Sequence, residues 1–194
     1  MNQLKSLKKG CEWPGGDKLM IKYHDREWGT PLHNDRKIFE FLVLESMQAG
    51  LSWRTILYKR ENFRKAFSNF DYRKVAKFGK REVAKLMKNA GIIRNRLKIE
   101  AVINNAKKFI EVRQEFGSFA KYMWRFVGDR PILGKRKTLK DIPAVTKEAK
   151  TFAGDLKKRG FKFLGPTTVY AHMQAVGMVN DHVVNCFRYR QSCY

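Results

Sequence analysis

Acidic residues are scarce in this 194-residue chain, with 18 Asp and Glu against 41 Lys and Arg, for a net charge of +23. So one-sided a charge repels itself in a compact chain, and binding to a polyanion is the usual compensation. A heat-adapted surface is the other source of many lysines, but the acidic halves of its ion-pair networks are missing. Cysteine is sparse as well. Cys11, Cys186 and Cys193 are too few for a disulfide framework or for a four-thiolate iron–sulfur cluster. Long apolar runs are absent, since the longest, Ile38–Met47, carries Glu40 and Glu45 and is too short to span a bilayer. The basic stretch Met1–Gly10 is not followed by the apolar core of a signal peptide. These absences point to a cytoplasmic protein with no membrane partner. Period-two alternation, internal repeats and low-complexity tracts are also missing.

A hydrophobic fraction of 43% with 13% aromatics is enough to build a core without disulfides. The chain reads as one all-α domain over residues 11–190, preceded by a basic extension at 1–10. Asn34 or Asp35 caps a helix running to Gln48, and Gly50 ends it. Ser52 caps a helix from Trp53 to about Phe67, and Asp71 caps a shorter one. Lys80–Asn89 is amphipathic and stops at Gly91. A long helix follows over roughly Arg94–Glu115, with Leu97, Ala101, Val102, Ala106, Phe109 and Ile110 at helical spacing. Ser118 starts a helix ending near Gly128. Pro131–Pro143 reads as a basic loop, and Thr146 caps a helix ending at Arg159. Gly160-Phe161-Lys162-Phe163-Leu164-Gly165 then forms a hairpin, with Pro166 opening a helix that Gly177 closes. Such a hairpin ringed by Lys157, Lys158, Arg159 and Lys162 suits sequence-independent phosphate contact, although helical hairpins are also common without that use.

Three constellations carry chemistry. Cys11 and His24 lie near one end of the chain, His182 and Cys186 near the other. The four make a closed two-Cys, two-His set that would hold zinc structurally and leave no position for water. The spacing His182-x-x-x-Cys186 puts both on one helix face, but it also arises without any metal, and Cys193 is a competing thiol. Glu45 shares a helix face with Phe41, Leu44 and Gln48, so a carboxyl lies on or beside a buried stripe. There it needs a partner or a function, and a surface Lys or Arg can be that partner. Trp13, Tyr23, Trp28 and Trp53 crowd the first third of the chain. Trp28 reads as core. The others offer flat faces of the kind a flipped cationic base requires.

Together these segments resemble the type I DNA-3-methyladenine glycosylase family. The matching stretches are Lys22-Tyr23-His24-Asp25, Glu27-Trp28-Gly29, Leu44-Glu45-Ser46 and Gln48-Ala49-Gly50-Leu51-Ser52-Trp53. Further matches are Asn89-Ala90-Gly91-Ile92-Ile93-Arg94, Lys158 through Gly165, and Asn180-Asp181-His182-Val183 with Cys186. The resemblance spans Cys11 to about Cys186. It implies a helix-hairpin-helix glycosylase fold whose chain ends are joined by one structural zinc on Cys11, His24, His182 and Cys186. It places a base pocket on Trp13, Tyr23, Glu45 and Trp53, with Glu45 as the catalytic group. Gly50 and Leu51 would fill the gap left by the flipped nucleotide. Arg159, Gly160, Lys162 and Gly165 would hold the DNA backbone. Two departures stand out. Met20 occupies a pocket position where the family has an aromatic residue, and Asn180 lies where the wider superfamily often has a catalytic Asp.

The implied activity is monofunctional release of 3-methyladenine from double-stranded alkylated DNA by a monomeric enzyme, leaving an abasic site. A non-catalytic binder of damaged DNA and a glycosylase with a broader range of alkylated purines are the rival readings. A zinc hydrolase conflicts with the closed ligand set.

Overall fold

The computed structural model describes residues 10–191. The extension expected at 1–10 lies outside these residues except for Gly10, and so does Cys193. Eleven α-helices account for most of the described chain. The helix starts follow the caps expected from sequence. Asn34 accepts from the Lys37 N–H at the head of α2 (Asp35–Gln48), and Ser52 accepts from Thr55 at the head of α3 (Trp53–Tyr58). Thr146 does the same for α9 (Lys147–Lys158), and Asn95, which was not among the expected caps, does so for α7 (Arg96–Phe116). These side chains satisfy N–H groups that no helix can satisfy internally.

Helix α2 is the centre of the molecule. Every residue from Ile38 to Met47 is buried, as expected for a helix that is apolar nearly all round. It packs against α3, α7, α8 (Phe119–Trp124) and α10 (Pro166–Ala175). At its head the Asp35 carboxylate accepts from the Phe119 and Ala120 N–H groups, at 3.2 and 3.0 Å, and from Arg113. One side chain of α2 thus caps α8. At its tail the buried Lys98 ammonium donates to the Met47 and Ala49 carbonyls at 2.9 and 2.6 Å. A cation there complements the negative end of the helix dipole.

Several expectations need correction. The helix expected over Trp53–Phe67 breaks at Lys59 into α3 and α4 (Arg60–Ala66). The first helix, α1 (Lys18–Arg26), capped by Asp17, was not anticipated. The basic loop 131–143 holds a two-residue strand, β1 (Ile132–Leu133), paired in parallel with β2 (Val179–Asn180). This small pair qualifies the all-α reading, which otherwise stands as a mostly helical fold. His182 and Cys186 do not share a helix face. Residues 181–186 form bends and a turn, and helix α11 starts only at Phe187. The Asn180 side chain accepts from the His182 N–H at 3.2 Å, and Val183 bridges in parallel to Arg136. These bonds take the backbone groups that a helix would need.

Between α9 and α10 the chain turns over residues 159–165, and Pro166 opens α10. Gly160 has φ +85°, which favours glycine. Asn105 of α7 braces the turn, donating to and accepting from Lys162 backbone atoms at 2.8 Å each. Gly177, at φ +74°, closes the end of α10 against the Thr30–Pro31 backbone, where an added Cβ would lie 2.4 Å from Pro31 N. Neither the conformation nor the space admits a side chain. We expect Gly177→Ala to cost about 2–4 kcal/mol and to lower the thermal midpoint by several degrees, measurable by circular dichroism. An unchanged midpoint would contradict the packing at this turn.

Candidate functional site

A partly open cavity of about 410 Å³ lies between α1, α2, α3, α10 and the 131–143 segment, lined by Trp13, Tyr23, Glu45, Gln48, Trp53 and Gln174, with Trp28, Leu139, Ile142 and Ala171. Its aromatic walls form one cluster. Trp13 meets Trp28 edge-on at 5.1 Å, and Tyr23 lies tilted against Trp53 at 5.1 Å. The last turn of α2 supplies Glu45 and, three residues on, Gln48. Helical spacing carries both into the same wall.

The polar groups of this cavity are incompletely satisfied. Among the described residues, the Trp13 and Trp53 Nε1 donors are buried without an acceptor. Glu45 is 4% exposed, and among the described residues no side chain or N–H donates to its carboxyl. Burial alone pushes its pKa up, to about 8, because an apolar surrounding disfavours the charge. The contrast with Glu40, one turn earlier on α2, is instructive. Glu40 accepts from Arg60 at 2.8 Å and Arg64 at 3.0 Å. Two carboxyls on one buried helix therefore have opposite treatment. Glu40 is paired, while Glu45 faces the cavity unpaired and next to Tyr23, whose hydroxyl is likewise held well above its ordinary pKa by burial and then by Glu45.

The structure thus brings Trp13, Tyr23, Glu45 and Trp53 together around one space. Met20 is buried on α1 and is not among the residues lining it. Sequence reasoning missed Leu139 and Ile142, which lie in a segment read as a basic loop. It also missed Ala171 and Gln174, one helical turn apart on α10. The helical spacing of Ala171 and Gln174 was legible, but nothing in it distinguished a cavity wall from core. Trp28, read as core, is buried in it and also lines the cavity.

Behind the aromatic wall lie the cysteines and histidines. The ligand atoms of Cys11, His24 and Cys186 fall within 4.8 Å of one another. His182 adjoins them, its ring 5.1 Å from that of His24. The Asp25 carboxylate bonds His24 Nδ1 at 2.7 Å, and the Asn180 side-chain oxygen bonds His182 Nδ1 at 3.0 Å. Each leaves the Nε2 atom for another partner, and that of His182 is buried without one. A hydrogen bond from the Cys11 thiol, with His24 nearby, pulls Cys186 down to about 4, whereas Cys11 is pushed up by Cys186 and by burial. Two sulfur ligands and one oriented imidazole are donors of the kind a tetrahedral cation such as zinc takes, while His182, the fourth expected ligand, adjoins this group without being part of it. Asn180 is spent on this arrangement. Its side chain holds His182 and donates to the Tyr189 carbonyl at 2.9 Å.

The remaining expected residues lie on the surface. Gly50, at φ +79°, turns the chain so that Leu51 stands 42% exposed beside the cavity. In the hairpin, the backbone N–H groups of Arg159, Gly160, Phe161 and Lys162 are all engaged internally. Among the described residues those of Phe163, Leu164 and Gly165 have no acceptor. The Arg159 guanidinium is committed to Glu115 and Asp155, at 2.6 and 2.8 Å.

Among the described residues this is a mostly helical protein with an aromatic cavity that holds a buried, unpaired carboxyl. Comparison with known proteins names the family. A sequence profile for methyladenine glycosylases matches residues 13–189, and the chain belongs to that family. It is 47% identical to DNA-3-methyladenine glycosylase 1 of Escherichia coli K12, over 92% of this chain and 96% of that protein. A crystal structure of 3-methyladenine DNA glycosylase I superposes with a TM-score of 0.90 at 46% identity, covering 92% of this chain and 98% of the other. The Staphylococcus aureus enzyme, solved to explain 3-methyladenine recognition, gives 0.90 at 36% identity, covering 96% and 97%.

The raised pKa of Glu45 has a consequence for stability. The carboxyl binds its proton more tightly folded than unfolded, so the folded state is favoured while Glu45 is protonated. As pH rises from about 4.5 to about 8, the unfolded chain loses this proton first, and stability falls by up to about 1.4 kcal/mol per unit. Glu45→Gln removes that dependence. We expect the variant to gain stability relative to the parent across this range, by a few kcal/mol at most, in denaturant titrations at several pH values. Parallel curves would show that Glu45 is not buried and unpaired.

Proposed function

We propose that this protein is a monofunctional DNA glycosylase that flips 3-methyladenine out of alkylated duplex DNA and hydrolyses its bond to the sugar. The observation that carries this reading is the unpaired, buried Glu45 carboxyl in an aromatic cavity. A neutral ligand gives the carboxylate little in exchange for its lost hydration. N3-methylation makes adenine cationic, and a cation beside Glu45 favours the carboxylate while the faces of Trp13, Tyr23 and Trp53 attract the charged ring. The orphaned indole N–H groups of Trp13 and Trp53 suit the ring nitrogens of a purine, which accept.

The chemistry asks little of the protein. The cationic base departs neutral, so the C1′–N9 bond breaks without prior protonation of the base. The sugar passes through an oxocarbenium-like state, as in glycoside hydrolysis. Water adds to C1′ and loses a proton, leaving a hydroxyl at an abasic site. The protein extrudes the base, holds it and excludes neutral adenine. Leu51, exposed at the rim beyond Gly50, would fill the vacated stack. Lys162, with the open N–H groups of Phe163, Leu164 and Gly165 at the head of α10, would hold a phosphate. Arg159 would support the hairpin through Glu115 and Asp155 more than touch DNA.

Incubation with methylated duplex DNA, followed by identification of every free base, tests this. We expect 3-methyladenine as the principal product. DNA binding without any release would establish the non-catalytic reading instead. Glu45→Gln is expected to keep DNA binding and lose base release by roughly 10²–10³-fold, and unchanged release would remove Glu45 from the mechanism.

The reading includes one structural zinc. Cys11, His24, His182 and Cys186 would hold it, and it would clip the two ends of the described chain together without taking part in hydrolysis. Purified protein should carry about one zinc per chain, and chelation should lower its unfolding temperature. Metal-free protein that unfolds at the same temperature would refute the site.

A further inference from the structure

Gln174 stands out among the cavity residues because its amide orientation is not ambiguous. Its Nε2 lies 2.8 Å from Asp181 Oδ2. A carboxylate only accepts, so the amide nitrogen must face it. Asp181 is itself fixed. It is 1% exposed and accepts also from the Tyr170 hydroxyl and, at 2.8 Å, from Arg136 Nε. A paired carboxylate with three donors has little freedom to release any one of them. The backbone of Gln174 is fixed as well, since its carbonyl accepts from Gly29 N at 3.1 Å. With the nitrogen taken, the amide atom left for an occupant of the cavity is the carbonyl oxygen Oε1, for which no partner exists among the described residues.

We propose that Gln174 is a specificity-determining residue that selects bases presenting an amino group at the C6 position, and that Asp181 is its positioning residue. The inference rests on the glycosylase reading and refines its substrate. Adenine carries an amino group at C6, where guanine carries an oxygen. A fixed acceptor attracts the first and repels the second, whereas a freely rotating Gln would serve either by turning over. Asp181 removes that choice. Charge alone does not make this distinction, because 3-methyladenine and 3-methylguanine are both cationic and Glu45 favours both. Gln174 therefore supplies discrimination that the aromatic walls and Glu45 lack.

The test uses the full-length protein and methylated duplex DNA, with release of 3-methyladenine and 3-methylguanine measured in the same reaction. Gln174→Met keeps the length of the side chain and removes the acceptor. We expect the preference for 3-methyladenine over 3-methylguanine to fall roughly tenfold, the usual worth of one hydrogen bond in discrimination. Asp181→Asn offers a donor and an acceptor to Gln174 and lets the amide turn. It should lower the same ratio while 3-methyladenine release persists. A purely structural effect of either change would alter stability or total release and leave the ratio alone. An unchanged ratio in folded Gln174→Met overturns the proposal, and that variant decides alone if Asp181→Asn does not fold. Failure of the parent protein to release 3-methyladenine would instead overturn the glycosylase reading, which separates the two outcomes.

Discussion

The rest of the structure is arranged around the burial of Glu45 without a partner. An unpaired carboxyl inside a protein is costly, and α2 could have avoided the cost, because the same helix pairs Glu40 with two arginines. Arg60 and Arg64 stand on α4, whose helical spacing aims both at Glu40. Among the described residues no cation pairs with Glu45, although the chain holds 41 Lys and Arg. The exclusion is built by apolar and aromatic neighbours from α1, α3 and the 131–143 segment. Under the proposed function, a cavity that keeps its carboxyl uncompensated reserves the compensation for a ligand.

That reservation explains the rigid framing of α2. Its head is tied to α8 through Asp35, and its tail to α7 through Lys98. A carboxyl on a mobile element would swing toward solvent or toward a lysine and lose its raised pKa. Lys98 is the revealing residue, because a buried ammonium so near the last turn might have neutralised Glu45. It is spent instead on the Met47 and Ala49 carbonyls, which also hold the turn carrying Gly50 and Leu51. One lysine fixes both the end of the helix that carries Glu45 and the turn that carries Gly50 and Leu51.

Much of this was legible in the sequence, for identifiable reasons. Side-chain caps are local, so Asn34, Ser52, Asp71, Ser118 and Thr146 marked helix starts that the structure keeps. Glu45 was visible because it interrupts an apolar stripe, and Gln48 because it shares that face. What failed was non-local. Lys59 breaks one expected helix in two. The backbone of 182–186 is captured by Asn180 and Arg136, partners that no spacing rule reveals, and so an apparent i, i+4 pair is not helical. Leu139 and Ile142 read as a basic loop because the β1–β2 pairing beside them joins segments 47 residues apart, as the partners Ile132 and Val179 show. Gln174 is an ordinary helix residue until Asp181 is placed beside it.

The same pairing links regions that sequence treats as separate. Segment 179–186 carries β2, Asp181, His182 and Cys186. It therefore touches the cavity through Gln174, the cavity wall through β1 and Arg136, and the Cys/His cluster through its own side chains. Helix α10 connects this segment to the hairpin, since its head adjoins Gly165 and its tail runs through Gly177 into β2. A phosphate held at that head and a base held near Gln174 would thus be positioned by one helix of ten residues. Such a helix is about 15 Å long and too short to bend appreciably. The distance between backbone contact and base contact is then set by covalent geometry. Under the proposed function, a base extruded toward Gln174 would lie one short helix away from a phosphate at Gly165, and β2 ties the far end of that helix to the 131–143 segment.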